Sequence, residues 1–142
     1  MKLRKERYLL DTNIVLYSLF NQKELETYIL DLLDDYYNEF YISVISVQEI
    51  IHLYKQNKIK TTWKSSEDVL PAIKATGFEF LFLKEEHLSA YAMLNTTKNH
   101  NDPQDHLIIS QAIAERMTLI SSDTKFAFYT KQKLNLLFNS RS

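Results

Sequence analysis

Four acidic residues stand where apolar segments end or helices begin. They are Asp11 in YLLDTN, Glu49 in ISVQEI, Asp105 in DPQDHLII and Asp123 in LISSDT. A carboxylate beside apolar residues is costly to bury unless it is paired, protonated or bound to a cation. If the fold brings these four side chains together, they form a pocket of negative charge suited to a metal ion. We therefore consider phosphate-ester chemistry at a metal site.

Three of the acids must be weighed against simple helix capping. Asp11 and Asp123 each follow an apolar run, and either could cap the helix that comes next. Asp105 is less easily explained in this way. Asp102, followed by Pro103, already provides the cap and first residue of the same predicted helix.

Glu49 has two further interpretations. It lies three residues after Ser46, and this Ser-x-x-Glu pattern of a capping box predicts a helix from residue 46 to about residue 58. Glu49 and His52 also match the Glu-x-x-His motif of carboxylate-bridged di-iron bundles. That fold requires a second copy of the motif, which the sequence lacks, and the predicted strands argue against a bundle.

A histidine-containing metal site is the alternative to one built from carboxylates. Imidazole and carboxylate ligands together would suit zinc or another divalent ion. The candidate ligands are close in sequence: His100, Asp102, Asp105 and His106. Serine hydrolase chemistry has no support, because no Gly-x-Ser-x-Gly elbow is present.

Composition excludes several classes of protein. Of the 142 residues, 45% are hydrophobic and 25% charged, as in an ordinary globular domain with a hydrophobic core. The absence of cysteine excludes disulfides, thiolate metal sites and a cysteine nucleophile. The single glycine, Gly77, excludes the glycine-rich loops that bind nucleotide phosphates.

Charge and hydropathy bear on partners and location. A net charge of −1 argues against a uniformly basic nucleic-acid surface, although local lysines remain. The basic and then apolar start is interrupted by Asp11 and Asn13 too early for a signal peptide. No apolar run approaches the ~20 residues of a membrane span. We expect a cytoplasmic protein with no membrane segment.

Apolar periodicity predicts one α/β domain over residues 1–142. Strands alternate with helices, which favours a mainly parallel sheet with helices on both faces. Ligands bind such sheets outside the carboxyl ends of the strands, where Asp11 and Asp123 are placed. The predicted strands are 8–10, 40–44, 78–83, 118–121 and 134–138. The predicted helices are 12–20, 23–38, 46–58, 66–76, 85–97, 103–116 and 123–131.

Taken in order, four segments resemble those of the PIN-domain ribonucleases, and most closely the VapC-type toxins of toxin–antitoxin pairs. YLLDTNIVLYSL is similar to the family's opening strand with its Asp-x-Asn, and SVISVQEI to the segment that carries its glutamate. HNDPQDHLIISQA resembles the His-x-Asp-Pro-x-Asp stretch, and TLISSDTKF the strand followed by Ser/Thr-x-Asp. The resemblance covers nearly the whole chain and implies a PIN-like three-layer sandwich.

The resemblance also implies roles for residues at matching positions. The chain departs from the family at Gln104, where phenylalanine is frequent, and at His106, where arginine is frequent. Both positions are neighbours of the site and leave the acids intact. The implied catalytic residues are Asp11, Glu49, Asp105 and Asp123, with Thr12, Asn13 and Ser121 as supporting polar groups. The implied ligands of Mg²⁺ or Mn²⁺ are Asp11, Asp105 and Asp123.

The implied function is metal-dependent hydrolysis of RNA phosphodiester bonds, leaving a 5′-phosphate. The implied partners are an RNA substrate and a small cognate antitoxin, within a homodimer or a toxin–antitoxin hetero-oligomer. Lys125 and Lys98 are the candidates for RNA contact. Two alternatives stay open: a catalytically silent interaction module with the same fold, and a DNA nuclease or phosphatase that uses the same acidic site.

Overall fold

The computed structural model describes residues 5–140. Within this range five strands form one sheet, in the order β3-β2-β1-β4-β5, and every neighbouring pair is parallel. In the central strand, Leu10 pairs with Ile42 on one side and with Ile120 on the other. The strands are β1 Glu6–Leu10, β2 Asn38–Ser43, β3 Glu79–Leu81, β4 Thr118–Ser121 and β5 Asn135–Phe138.

Helices connect the strands. The α-helices of the described residues are α1 Thr12–Phe20, α2 Thr27–Leu33, α3 Val44–Lys55, α4 Val69–Lys74, α5 Glu85–Met93 and α6 Pro103–Glu115. The 3₁₀ segments are Gln22–Glu24, Ser66–Asp68 and Thr124–Gln132. None of the helices within residues 5–140 combines the length and the apolar character needed to cross a bilayer.

The sheet is covered on both faces. Successive strand residues point to opposite faces, and in β1 both Leu9 and Leu10 are fully buried. Leu10 packs in a core with residues of α1 to α4, including Ile14 and Ile50. Leu9 packs in a second core with α6 and the last 3₁₀ segment, including Ile109. Two helical layers therefore sandwich the sheet, and the predicted three-layer α/β architecture is confirmed.

The strand order reverses beside β1. The chain moves from β1 outward to β2 and β3, and then returns to β4 on the other side of β1. In open parallel sheets this reversal creates a crevice at the carboxyl ends of the strands, where ligands bind. Asp11 follows β1 at this edge, and its N–H donates to Ile120 O of β4 at 3.0 Å.

The predicted helix over residues 23–38 is wrong at both ends. A 3₁₀ turn precedes α2, and α2 ends at Leu33. The Asp35 carboxylate accepts from Tyr37 N–H at 3.0 Å, a turn that competes with helical hydrogen bonding. Tyr36 and Tyr37 are 96% and 74% exposed, so they do not continue the buried face of a helix.

The predicted start of α3 at Ser46 is also wrong. The helix begins at Val44, and its cap is Ser43, whose Oγ accepts from Ile45 N–H at 3.0 Å. Ser46 lies inside the first turn and is fully buried. The proposed capping box between Ser46 and Glu49 therefore does not exist.

Edge position accounts for the short third strand. Residues 78–83 were predicted as a strand, but β3 comprises only Glu79–Leu81 at the edge of the sheet. Beyond it, Phe82 and Leu83 are 63% and 43% exposed. An edge strand pairs on one side only, so less of this apolar run is held in the sheet.

Candidate metal centre

Asp11 is held rigidly where β1 passes into α1. Its Oδ1 accepts from Thr12 N–H at 2.9 Å, and its Oδ2 accepts from the Ser121 hydroxyl at 2.8 Å. Only 7% of the residue is exposed. A typical cap bonds the second or third amide of the helix, whereas Asp11 bonds the first. Capping alone therefore does not explain the position of this carboxylate.

Burial raises the pKa of Asp11 from an ordinary 3.8 to about 7. The bond from Ser121 and the N–H of Thr12 lower this pKa, while the negative charges of Asp105 and Glu49 raise it. Desolvation prevails because the carboxylate loses its water and its hydrogen bonds replace it only in part. A cation beside Asp11 would restore the ionised form.

Thr12 connects Asp11 to the glutamate on α3. Its Oγ1 lies 2.6 Å from Glu49 Oε1 and 3.0 Å from Ser46 Oγ. A threonine hydroxyl has one proton and a carboxylate can only accept. Thr12 therefore donates to Glu49 and lies against the Ser46 oxygen. The Thr12 hydroxyl directs Glu49 towards the end of β1. Ser46, which the sequence analysis assigned to a helix cap, instead contacts Thr12 beside Glu49.

Asp105 lies in the first turn of α6 and faces the same end of the sheet as Asp11 and Glu49. Its Oδ2 is 3.0 Å from His100 Nε2. Burial raises the pKa of Asp105, the hydrogen bond with His100 lowers it, and the charges of Asp102 and Asp123 raise it. Within residues 5–140, ligand atoms of His100, Asp105 and Asp123 all lie within 4.8 Å of one another.

Ser121 joins the acids that follow β1 and β4. The hydroxyl that donates to Asp11 also accepts from Asp123 N–H at 3.0 Å. Asp123 Oδ1 in turn accepts from Lys125 N–H at 2.9 Å, so Asp123 does cap the following 3₁₀ segment. Capping therefore accounts for Oδ1 of Asp123, whereas Oδ2 takes no part in the cap.

The structure brings all four predicted acids to the carboxyl end of the sheet, with Thr12 and Ser121 between them. Asn13 is different: its side chain is exposed and forms no hydrogen bond with other residues in the described range. Its assignment as a supporting group stays a prediction. Nothing in the sequence indicated this role of Ser46 beyond its place one turn before Glu49.

The alternative histidine site is not assembled as the sequence suggested. His106 is buried and its Nε2 bonds the backbone oxygen of His100 at 2.8 Å. Asp102 is exposed and caps α6 through Gln104 N–H at 2.9 Å. Of that set, only His100 and Asp105 face the acidic centre.

The donor set fits a hard divalent cation. Asp11, Glu49, Asp105 and Asp123 contribute carboxylate oxygens from four different elements, and such ligands suit Mg²⁺ or Mn²⁺. Burial first, and the neighbouring negative charges second, raise the pKa values of Asp11 and Asp105, so a nearby cation would favour their ionised forms. We call the four carboxylates the acidic centre.

A groove of about 330 Å³ lies beside the acidic centre. It is lined by residues of α3 and α6, and Gln104 Nε2 donates across it to Gln48 Oε1 at 3.3 Å. The groove has Glu49 in its wall, together with Gln48, His52, Leu53 and Gln104.

Lys98 and Lys125 are both exposed and form no ion pair with residues that the structure describes.

Comparison with known proteins gives a family match. The family model described as the PIN domain matches residues 8–131. No curated protein matches the chain at a significant level. The sequence match spans all four acids.

Solved structures with the same fold include toxin–antitoxin complexes. VapBC-1 of nontypeable Haemophilus influenzae is 23% identical over 93% of this chain and 97% of that chain, with a TM-score of 0.68. VapBC2 of Rickettsia felis, bound to a promoter DNA fragment, is 21% identical over 94% and 98%, with a TM-score of 0.66. DNA-bound VapBC of Salmonella typhimurium is 16% identical over 94% and 98%, with a TM-score of 0.68. At these identities the likeness establishes the fold.

Proposed function

Because the chain belongs to the PIN-domain family, we propose that it is a metal-dependent ribonuclease and the toxin of a toxin–antitoxin pair. The observation that carries this proposal is the acidic centre around Asp11, whose burial raises its pKa to about 7. Carboxylates packed in this way are unfavourable without a cation, and a hard divalent cation is the partner that their oxygens favour.

Asp11, Asp105 and Asp123 are the proposed ligands of Mg²⁺ or Mn²⁺. When bound, the ion would supply Lewis-acid activation of water and neutralise negative charge at the phosphodiester. Ser121 holds Asp11 from β4, and the N–H of Thr12 holds its other oxygen. These bonds keep the carboxylate in one orientation, so little reorganisation is needed when substrate arrives.

Glu49 is the proposed acceptor that orients the attacking water. The Thr12 hydroxyl occupies Oε1 and no described residue donates to Oε2. This second oxygen is therefore available to a water at the acidic centre. A carboxylate positioned in this manner can receive a proton as the water attacks.

RNA is the proposed substrate, held along the groove beside Glu49 and by the exposed Lys98 and Lys125. With a net charge of −1, the chain has no uniformly basic surface, so local cations are the proposed contacts for the phosphates. A single strand fits this arrangement better than a duplex, because its bases and backbone can follow a narrow groove.

An antitoxin is the proposed protein partner. Neighbours in the comparison include a toxin–antitoxin complex from Klebsiella pneumoniae, which shares the fold at 18% identity. By analogy we propose a small cognate antitoxin, in a homodimer or hetero-oligomer, acting in the cytoplasm.

Purified protein offered RNA, single-stranded DNA and a phosphomonoester with Mg²⁺ tests the function. We expect cleavage of RNA, loss of cleavage with EDTA, and recovery with Mn²⁺. Asp11→Asn should remain folded by circular dichroism and cleave at least 100-fold more slowly. Equal cleavage of DNA or of the monoester would favour the broader nuclease or phosphatase. Failure to cleave any of the three would favour a silent interaction module.

A further inference from the structure

His100 is not one of the four acids, but it is buried and contacts one of them, Asp105. Its side chain is 2% exposed and packs between rings of the last 3₁₀ segment and α6. The ring centroids of Phe126 and Tyr129 are each 5.5 Å away, and that of His106 is 4.7 Å away. A polar ring enclosed in this way must find hydrogen-bond partners inside the protein.

Both nitrogens of His100 have such partners. Nδ1 lies 3.0 Å from the Tyr129 hydroxyl, and Nε2 lies 3.0 Å from Asp105 Oδ2. The ionised Asp105 carboxylate can only accept, so His100 Nε2 carries a proton and donates it to Asp105 Oδ2. In the neutral ring Nδ1 is then the acceptor, and the Tyr129 hydroxyl donates to it.

This arrangement determines the tautomer. With Nδ1 accepting from Tyr129, the neutral ring carries its proton on Nε2, and that proton is donated to Asp105 Oδ2. His100 then has no free lone pair in the ring plane for a metal ion. Asp105 Oδ1, to which no described residue donates, remains available as a ligand.

The backbone of His100 also forms two hydrogen bonds. Its N–H donates to Thr97 O at 3.0 Å, and its carbonyl accepts from His106 Nε2 at 2.8 Å. His106 occupies the position where the resembled family often has arginine. Here it binds the loop that carries His100 to α6.

We propose that Tyr129 and His100 form a two-residue relay that positions Asp105 for metal binding. The inference rests on the proposed function and extends it, because it assigns positioning roles to two residues outside the acidic centre. Partners that orient a ligand through its second oxygen typically change metal affinity by about 10- to 100-fold when removed. His100 and Tyr129 do not touch the metal or the substrate.

The first test reads the tautomer in metal-free protein. Two-bond ¹H–¹⁵N correlation spectra of labelled histidine should show His100 with the proton on Nε2. Tyr129→Phe keeps the ring and removes the hydroxyl, so we expect the two tautomers of His100 to become mixed. Tyr41→Phe is the matched control, since it removes a hydroxyl that bonds Glu39 at 3.2 Å elsewhere on the sheet. A proton on Nδ1 in the native protein would overturn the relay.

The second test measures Mn²⁺ affinity by calorimetry. We expect His100→Ala to weaken binding by about 10-fold or more and Tyr129→Phe by several-fold. His100→Gln should retain more affinity than His100→Ala, because the glutamine amide can still donate to Asp105. Tyr41→Phe should bind as the native protein does. If His100→Ala does not fold, Tyr129→Phe and His100→Gln still test whether these residues position Asp105 for Mn²⁺ binding.

Two results would separate this inference from the proposed function. If the native protein binds Mn²⁺, Asp105→Asn does not, and the His100 and Tyr129 variants bind normally, the relay fails and the metal site stands. If the native protein binds no Mn²⁺, the metal site and the positioning role both fail. A direct ¹⁴N coupling to Mn²⁺ in spin-echo spectra would make His100 a ligand and also overturn the relay.

Discussion

The Ser121 hydroxyl joins Asp11 to the segment after β4, donating to Asp11 Oδ2 at 2.8 Å across the central strand pair. The two residues are 110 positions apart in the chain. The same hydroxyl accepts from Asp123 N–H at 3.0 Å. One small buried side chain therefore sets the relative position of two acids.

Ser121→Ala should impair the acidic centre more than it impairs folding. The bond from Ser121 lowers the pKa of Asp11, so its removal raises that pKa further and makes the ionised ligand rarer at neutral pH. We expect roughly 10-fold weaker Mn²⁺ binding at pH 7, measured by calorimetry. Losing a buried hydrogen bond should cost about 1–2 kcal/mol of unfolding free energy.

Ser110→Ala is the matched control for this substitution. Ser110 is also fully buried, and its hydroxyl donates to His106 O at 2.7 Å within α6. It should lose comparable stability and keep its metal affinity. Equal effects of the two variants on Mn²⁺ binding would contradict a specific role for Ser121.

Without metal, the protein should become less stable as the pH rises through the range set by Asp11. Burial raises the pKa of Asp11 from 3.8 to about 7, so the folded state binds more protons than the unfolded state between these values. Stability from this group is complete below the lower value and is lost as the pH approaches the upper one. At about 1.4 kcal/mol per pKa unit, the loss is at most about 4 kcal/mol.

Urea denaturation in EDTA from pH 4 to pH 8 would measure this effect. Asp11→Asn should remove much of the loss, and saturating Mg²⁺ should offset it in the native protein. Asp31→Asn, at an exposed position on α2, should leave the pH dependence unchanged. Parallel curves for native protein and Asp11→Asn would show that Asp11 titrates normally.

Thr12→Val should slow cleavage while preserving RNA affinity. The substitution keeps the branched shape and removes the hydroxyl that lies 2.6 Å from Glu49 Oε1. Glu49 would then be free to rotate away from the proposed water. We expect kcat to fall by about 10- to 100-fold with a small change in KM.

Steady-state kinetics on a short fluorescent RNA would provide these values. Thr130→Val offers a comparison at a threonine whose hydroxyl donates to Ala127 O at 2.9 Å on the surface. A rise in KM with unchanged kcat would place Thr12 in substrate binding instead.

Lys98→Ala and Lys125→Ala should each weaken RNA binding and reduce its salt dependence. A lysine that contacts a phosphate contributes about one unit to the slope of log affinity against log salt. Binding would be measured by fluorescence anisotropy in the Asp11→Asn background, where RNA stays intact. Lys74→Ala, exposed at the end of α4, should leave the slope unchanged. An unaltered slope in both test variants would exclude these lysines from the interface.

Local patterns predicted several elements accurately. Helix α1 was predicted over its observed length, and Asp102 with Pro103 correctly marked the start of α6. These features depend on residues within one or two turns, and their signals are visible in the sequence. Errors arose where a side chain formed a local bond that the pattern did not show, as with Ser43 at the start of α3 and Asp35 after α2.

The amino-acid sequence by itself determined that carboxylates follow β1 and β4, because strand ends and helix starts are set by nearby residues. Only the tertiary structure decided which side chains hold them. The bond between Thr12 and Glu49 and the contact of Tyr129 with His100 join residues 37 and 29 positions apart. Such bonds require a particular sheet order and helix rotation, which follow from packing the entire core and which no local pattern specifies.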